Sequence, residues 1–107
     1  QKADSPSGTA IRTAEMLSAV GKFNQDTKTS RETLPGARGA SSSNIPIHSV
    51  RLPGLLAHQA IMFGSTGETL TLRHDSIDRQ CFMPGVCLAC EKVMALDHLA
   101  YGLEEIL

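Results

Sequence analysis

A lysine followed by a hydroxyl-glycine-hydroxyl turn lies near the beginning of the sequence, in the segment Lys2–Ala10 (KADSPSGTA). A helix is predicted directly after this turn, and the free N–H groups and dipole of a helix start suit a carboxylate or phosphate. Gly8 allows an anion to approach the backbone closely, and Thr9 adds a hydroxyl donor. The segment therefore predicts an anion site with a lysine nearby.

The same residue types also fit an ordinary helix N-terminus. In this alternative, Ser7 or Thr9 caps the helix and Lys2 is a solvated surface charge. Judged by spacing alone, the capping interpretation is the more common of the two. The choice between them depends on the identity of the whole segment and on motifs later in the chain.

Cysteine and histidine residues show no pattern typical of a metal site. Cys81, Cys87 and Cys90 are an odd number within ten residues, which favours a reducing compartment over a disulfide framework. Cys87 and Cys90 have CxxC spacing, but no second ligand pair follows and apolar helix formers flank them. We therefore predict that Cys87 and Cys90 pack in a core, and we predict no metal. Four histidines are scattered along the chain: His48, His58, His74 and His98.

The element that carries the first motif is predicted from helical spacing of apolar residues. Ala10, Ala14, Leu17 and Val20 recur at this spacing, which indicates a helix over Thr9–Val20. Gly21 supplies a stop signal for this helix. Residues 22–44 are polar and rich in turn formers, so we predict irregular structure in which Arg38 and Gly39 form part of a lid.

Three strands and a second helix follow. The strands are predicted over Ile45–Arg51, Leu55–Phe63 and Thr69–Arg73, the last two forming a hairpin. Pro84 suits the first turn of a helix. The tail Leu99–Leu107 is predicted to be a short strand or turn. This order indicates an α+β fold.

Composition narrows the class of protein. The 107 residues, 41% of them hydrophobic, are enough for one domain spanning 1–107. Ten Lys and Arg against eleven Asp and Glu lack the basic excess of a nucleic-acid binder. The apolar stretches are shorter than the ~20 residues that cross a bilayer. We therefore expect neither nucleic acid nor membrane as a partner.

Two separate motifs resemble the same family. Lys2–Ala10 is similar to the K-x-D-x-P-S-G-T-A signature of 4-hydroxy-tetrahydrodipicolinate reductases, and Ile47–Arg51 resembles their I-H-S-V-R strand. Gly67–Glu68 and Arg73–Asp75 resemble the family's G-E and T-H-x-A region. Asp78–Phe82 resembles S-R-x-x-F, with aspartate in place of the serine. The resemblance covers essentially all 107 residues.

The resemblance assigns roles to the first motif. It implies that Lys2 donates the proton of the reduction and that Gly8 and Thr9, beside Ser7, hold one carboxylate of a dicarboxylate substrate. A hydride arriving at a conjugated imine requires a positioned acid to complete the reduction. Oriented donors at a helix start also suit a dicarboxylate.

The resemblance also implies a larger protein. The family places a nucleotide-binding domain before a substrate domain with a four-stranded, mostly antiparallel or mixed sheet, and it assembles as a homotetramer. The cofactor is then NADPH or NADH, bound mainly by the domain absent here and approached by Arg79 and Phe82. Alternatively, Arg79 is solvated and Phe82 packs in the core.

The resemblance also implies a pathway and a location. The family acts in lysine and diaminopimelate biosynthesis, in the bacterial cytoplasm or the plastid stroma.

Two departures leave the function open. The family's paired histidines lie just before the position of Gln1, so the chain alone is predicted to be inactive. Where many members read V-G-E-H, this chain reads Leu56-Ala57-His58-Gln59. The alternative to a reductase domain is a non-catalytic relative that acts in assembly or interaction. Retention of Lys2 argues for the enzyme.

Overall fold

The computed structural model describes residues 3–23 and 31–107, and the chain divides into two compact units, the second beginning at Leu56. Helices and antiparallel strands make up both units, so the predicted α+β class is confirmed. The elements are α1 (Gly8–Val20), β1 (Ala40–Ser42), β2 (Ile45–Ile47), β3 (Ala57–Ser65), β4 (Glu68–Ser76) and α2 (Met83–Lys92).

Helix α1 begins one residue before the predicted start and ends where the apolar spacing ends. Its inner face contains Ala14, which is 2% exposed. The amide of Gly21 donates to the Leu17 carbonyl at 3.1 Å, and the backbone then becomes extended. Gly21 therefore terminates the helix, as the sequence predicts.

A short hairpin follows in the first unit. β1 and β2 pair antiparallel, with Ala40 opposite Ile47. Ser43 and Asn44 connect them with φ of 52° and 62°. Two-residue loops with both φ values positive match the right-handed twist of the strands they join.

This hairpin corrects two predictions. Residues 40–42 lie within the stretch predicted to be irregular, while residues 24–30 of that stretch lie outside the described part of the chain. The strand predicted over Ile45–Arg51 ends at Ile47. It ends there because pairing with β1 stops at Ala40, beyond which the Gly39 N–H donates to the Gly36 carbonyl of the preceding turn at 2.9 Å.

The second unit contains the predicted hairpin. β3 and β4 pair from Ala57 opposite Ser76 to Ser65 opposite Glu68, so both strands are longer than predicted. Gly67, with φ of 79°, closes the two-residue turn. Among the described residues the four strands form two separate two-stranded sheets rather than one four-stranded sheet.

One face of the β3–β4 hairpin is apolar. Ile61 lies opposite Leu72 and Phe63 opposite Leu70. Leu70 and Leu72 are 58% and 53% exposed, so the described residues leave much of this face uncovered. Apolar surfaces left exposed on a folded domain are often sites of association.

The second helix is only partly covered by the described residues. Pro84 lies in the first turn of α2, as predicted. The prediction that Cys87 and Cys90 pack in a core is wrong, because both are exposed free thiols, as is Cys81. Val86 on the same helix is 50% exposed, whereas Leu88 and Ala89 are half-buried. None of the helices in the described ranges is long and apolar enough to span a membrane.

The tail forms a turn rather than a strand. A 3₁₀ turn covers Leu103–Glu105, and Glu105 Oε1 accepts the amide N–H of Tyr101 at 3.0 Å. His98 Nε2 lies 3.7 Å from Glu105 Oε2. The prediction of a short strand or turn is therefore resolved in favour of a turn.

Candidate functional site

The N-terminus of α1 carries three of the predicted site residues. Ser7 is the N-cap, and its Oγ accepts the N–H of Ala10 at 3.3 Å. Its carbonyl accepts the N–H of Ile11 at 3.1 Å. Gly8 and Thr9 are the first two helical residues, whose amides cannot bond within the helix. Capping by Ser7 is thus compatible with anion binding by its neighbours.

The surroundings of Gly8 are open. A Cβ built on Gly8 would meet no heavy atom within 4 Å, and its φ lies outside the left-handed region. Neither packing nor backbone conformation in the described residues requires glycine there. The first turn of α1 also contains no acidic residue to offset the positive end of the helix dipole. This end of α1 can therefore accept a negatively charged group at close range.

The segment before α1 is held by a distant arginine. Arg51 Nη2 donates to the Asp4 carbonyl at 2.7 Å, and Nη1 donates to the Val50 carbonyl at 2.9 Å. The Ser5–Pro6 peptide bond in this segment is cis. Lys2, the predicted proton donor, lies outside the described residues.

A carboxylate organises the loop that contains the predicted lid residues. Glu32 accepts the amide N–H groups of Gly36 at 3.1 Å and Arg38 at 3.0 Å. Gly39 follows with φ of 73°, and a Cβ there would lie 3.0 Å from His48 Nδ1. The ring of His48 thus packs against this loop. A lid function for Arg38 and Gly39 stays a prediction.

The two predicted cofactor residues lie in the second unit, on a 3₁₀ turn over Arg79–Phe82. Asp78 caps this turn, because its Oδ1 accepts the N–H of Gln80 at 2.8 Å. The aspartate that replaces the family's serine is therefore the N-cap of this 3₁₀ turn. Arg79 is exposed and Phe82 is 43% exposed, so core packing of Phe82 is not observed.

One polar cluster was not predicted from the sequence. On the hairpin, Asp75 Oδ1 lies 2.6 Å from His58 Nδ1, and Asp75 Oδ2 accepts from Arg73 Nε at 2.7 Å. Hydrogen bonds from Arg73 and then His58 lower the pKa of Asp75 to about 2. Counting outward from the turn at Gly67 would have placed His58 opposite Asp75. No group of three or more His, Cys, Asp or Glu among the described residues is arranged to hold a metal ion.

Comparison with known proteins covers the whole sequence. The family model described as "Dihydrodipicolinate reductase, C-terminus" matches residues 1–107. The chain is 62% identical to a 4-hydroxy-tetrahydrodipicolinate reductase of Synechococcus elongatus, of which it covers 40%, and 57% identical to one of Legionella pneumophila, of which it covers 44%. In both alignments all of the chain is covered.

A solved structure gives the same result. The dipicolinate-bound dihydrodipicolinate reductase from Paenisporosarcina sp. TG-14 superimposes with a TM-score of 0.83 at 56% identity. The match covers 100% of this chain and 41% of that one. The chain therefore spans about two fifths of the length of the relatives it matches.

Proposed function

This chain belongs to the dihydrodipicolinate reductase family as its C-terminal part, and we propose that it is the substrate-binding domain of a 4-hydroxy-tetrahydrodipicolinate reductase. The N-terminus of α1 carries the proposal, because Gly8 and Thr9 present amides beside open space there. The solved relative binds dipicolinate, a dicarboxylate of the class that this helix start suits.

In the proposed site, the amides of Gly8 and Thr9 and the Thr9 hydroxyl donate to one substrate carboxylate. Ser7 contributes by capping α1, which keeps those amides directed outward. Donors fixed before the substrate arrives do not need to reorganise during the reaction. These residues therefore bind and orient the substrate, while the proton is supplied elsewhere.

Lys2 is proposed as the proton donor. When bound, the reduced nicotinamide would supply a hydride to the conjugated imine that remains once the 4-hydroxy substrate has lost water. An ammonium group next to the substrate gives the balancing proton to the atom where negative charge develops, and the cofactor is left oxidised. Lys2 lies six residues before Gly8 in the same segment, so one stretch of chain carries both the acid and the carboxylate donors.

The proposed cofactor is NADPH or NADH, held mainly by a nucleotide-binding domain outside this chain. Arg79 and Phe82 suit a contact with it, because both are exposed on a turn that Asp78 holds in place. A guanidinium group suits phosphate oxygens, and an aromatic face suits a planar ring. We place the protein in the bacterial cytoplasm, or in the plastid stroma if the source is a photosynthetic eukaryote.

Self-association is proposed to cover the apolar face of the β3–β4 hairpin. Identical chains usually assemble with closed symmetry, and in the complete protein we propose a homotetramer built around a four-stranded, mostly antiparallel or mixed sheet. The isolated domain should be a tetramer, or at least a dimer, with no measurable affinity for NADPH. Light scattering during size exclusion and calorimetric titration test the two statements. A monodisperse monomer would contradict the packing argument.

The reaction itself is tested on a full-length protein that carries this domain. We expect oxidation of NADPH or NADH that depends on 4-hydroxy-tetrahydrodipicolinate, with dipicolinate inhibiting in competition with the substrate. Loss of NADPH is followed by its absorbance, and dipicolinate binding by calorimetry. A protein that assembles but neither binds dipicolinate nor consumes the nucleotide would favour the alternative, a non-catalytic assembly protein.

A further inference from the structure

We propose that Arg51 is a positioning residue that fixes the segment between the proposed proton donor and the carboxylate site. The inference rests on the proposed function for its catalytic meaning. Arg51 Nη2 reaches the Asp4 carbonyl at 2.7 Å, across 47 positions of sequence. Asp4 lies two residues after Lys2 and three before Ser7, so the bond holds the chain between the two parts of the site.

The geometry favours a rigid connection over a casual surface contact. Nη1 of the same guanidinium donates to the Val50 carbonyl at 2.9 Å. Because the guanidinium is planar and its donors are fixed relative to one another, two such bonds set its orientation. Hydrogen bonds from a charged donor are also stronger than those between neutral groups. The Asp4 carbonyl is therefore tied to the backbone at Val50.

The position of Asp4 bears on the chemistry through the length of the chain. An extended chain spans at most about 3.3 to 3.6 Å per residue, so Asp4 can be no more than about 11 Å from Ser7 along the backbone. A movement of Asp4 therefore changes the orientation of the residues that lead into the helix cap. Misplacement of reacting groups by about 1 Å can cost on the order of 100-fold in rate.

The test compares Arg51→Gln and Arg51→Lys with Arg31→Gln in the full-length protein. Arg31→Gln removes the same charge from another exposed arginine of the first unit. Amide hydrogen exchange over residues 3–10 measures the mobility of the segment directly. Steady-state kinetics measure the effect on turnover, and titrations with dipicolinate and with NADPH measure the effect on binding. We expect faster exchange in Arg51→Gln, a fall in kcat/KM of roughly tenfold or more, and NADPH affinity within about twofold of wild type.

Arg51→Lys keeps the charge but lacks the planar pair of donors, so it should recover only part of both losses. It also carries the test if Arg51→Gln fails to fold. Exchange and kcat/KM equal to those of Arg31→Gln would overturn the role of Arg51 while wild-type turnover still supports the proposed function. A wild-type protein without turnover, but with faster exchange in Arg51→Gln only, would instead overturn the proposed function and with it the catalytic meaning of this contact.

Discussion

Replacing Gly8 by alanine should make the protein more stable and its substrate binding weaker. The added methyl group meets no heavy atom of the chain within 4 Å, and the backbone there does not need a positive φ. Alanine in place of a compatible glycine typically gains about 0.4 to 1 kcal/mol, largely by restricting the unfolded chain. An effect on stability alone would therefore be favourable.

In the proposed site, the same methyl group would occupy the space through which a carboxylate reaches the Gly8 and Thr9 amides. Loss of one hydrogen bond to a charged group costs about 1.5 to 3 kcal/mol. At 1.4 kcal/mol for each factor of ten, the Kd for dipicolinate should rise roughly 10- to 150-fold. Stability and affinity are thus expected to change in opposite directions.

Gly64→Ala is the matched control, because a Cβ on Gly64 also meets nothing within 4 Å at an ordinary φ. Tm by calorimetry and Kd by titration are measured for both variants of the full-length protein. Gly64→Ala should leave dipicolinate binding unchanged. If Gly8→Ala raised Tm but left the Kd for dipicolinate within about twofold of wild type, carboxylate binding at this helix start would be refuted.

Three further predictions concern single side chains. Thr9→Val should raise KM for the dicarboxylate more than about threefold, since it loses a charged hydrogen bond; a smaller rise in steady-state kinetics would remove Thr9 from the site. Lys2→Ala should lower kcat by roughly 10²- to 10⁴-fold with little change in KM, and an unchanged kcat would exclude it as the acid. Asp75→Asn should lower Tm at neutral pH, because the depressed pKa of Asp75 means that its ionised form stabilises the fold above the ordinary value of 3.8. This difference from wild type should disappear in thermal melts as the pH falls through about 2, whereas a difference that persisted there would separate it from the ionisation of Asp75.

Local patterns in the sequence predicted the elements that depend on local physics. Helix α1 follows from apolar spacing and its cap, and the β3–β4 hairpin follows from two apolar runs around Gly67. β1 was missed because its residues, Ala40–Ser42, read as a polar loop. Its strand conformation depends on the Ser43–Asn44 turn and on pairing with β2, which residue type alone does not reveal.

Contacts between residues far apart in the sequence could not be predicted, for a different reason. The bond from Arg51 to Asp4 joins positions 47 residues apart, and no periodicity encodes it. The exposure of the cysteines was mispredicted because apolar spacing shows which face of a helix is apolar. It does not show whether other residues of the same chain bury that face. The role of Lys2 came from the resemblance alone and stays a prediction.

The β3–β4 hairpin has a consequence for how the chain folds. Its nine pairs, from Ala57 opposite Ser76 to Ser65 opposite Glu68, are all closed by one two-residue turn. Local pairings cost little loop entropy, and hairpins form in about 1 to 10 μs. The β1–β2 hairpin has only three pairs. We therefore expect the longer hairpin to form first, as a nucleus in the second unit, and mutations near its turn to slow refolding more than they speed unfolding.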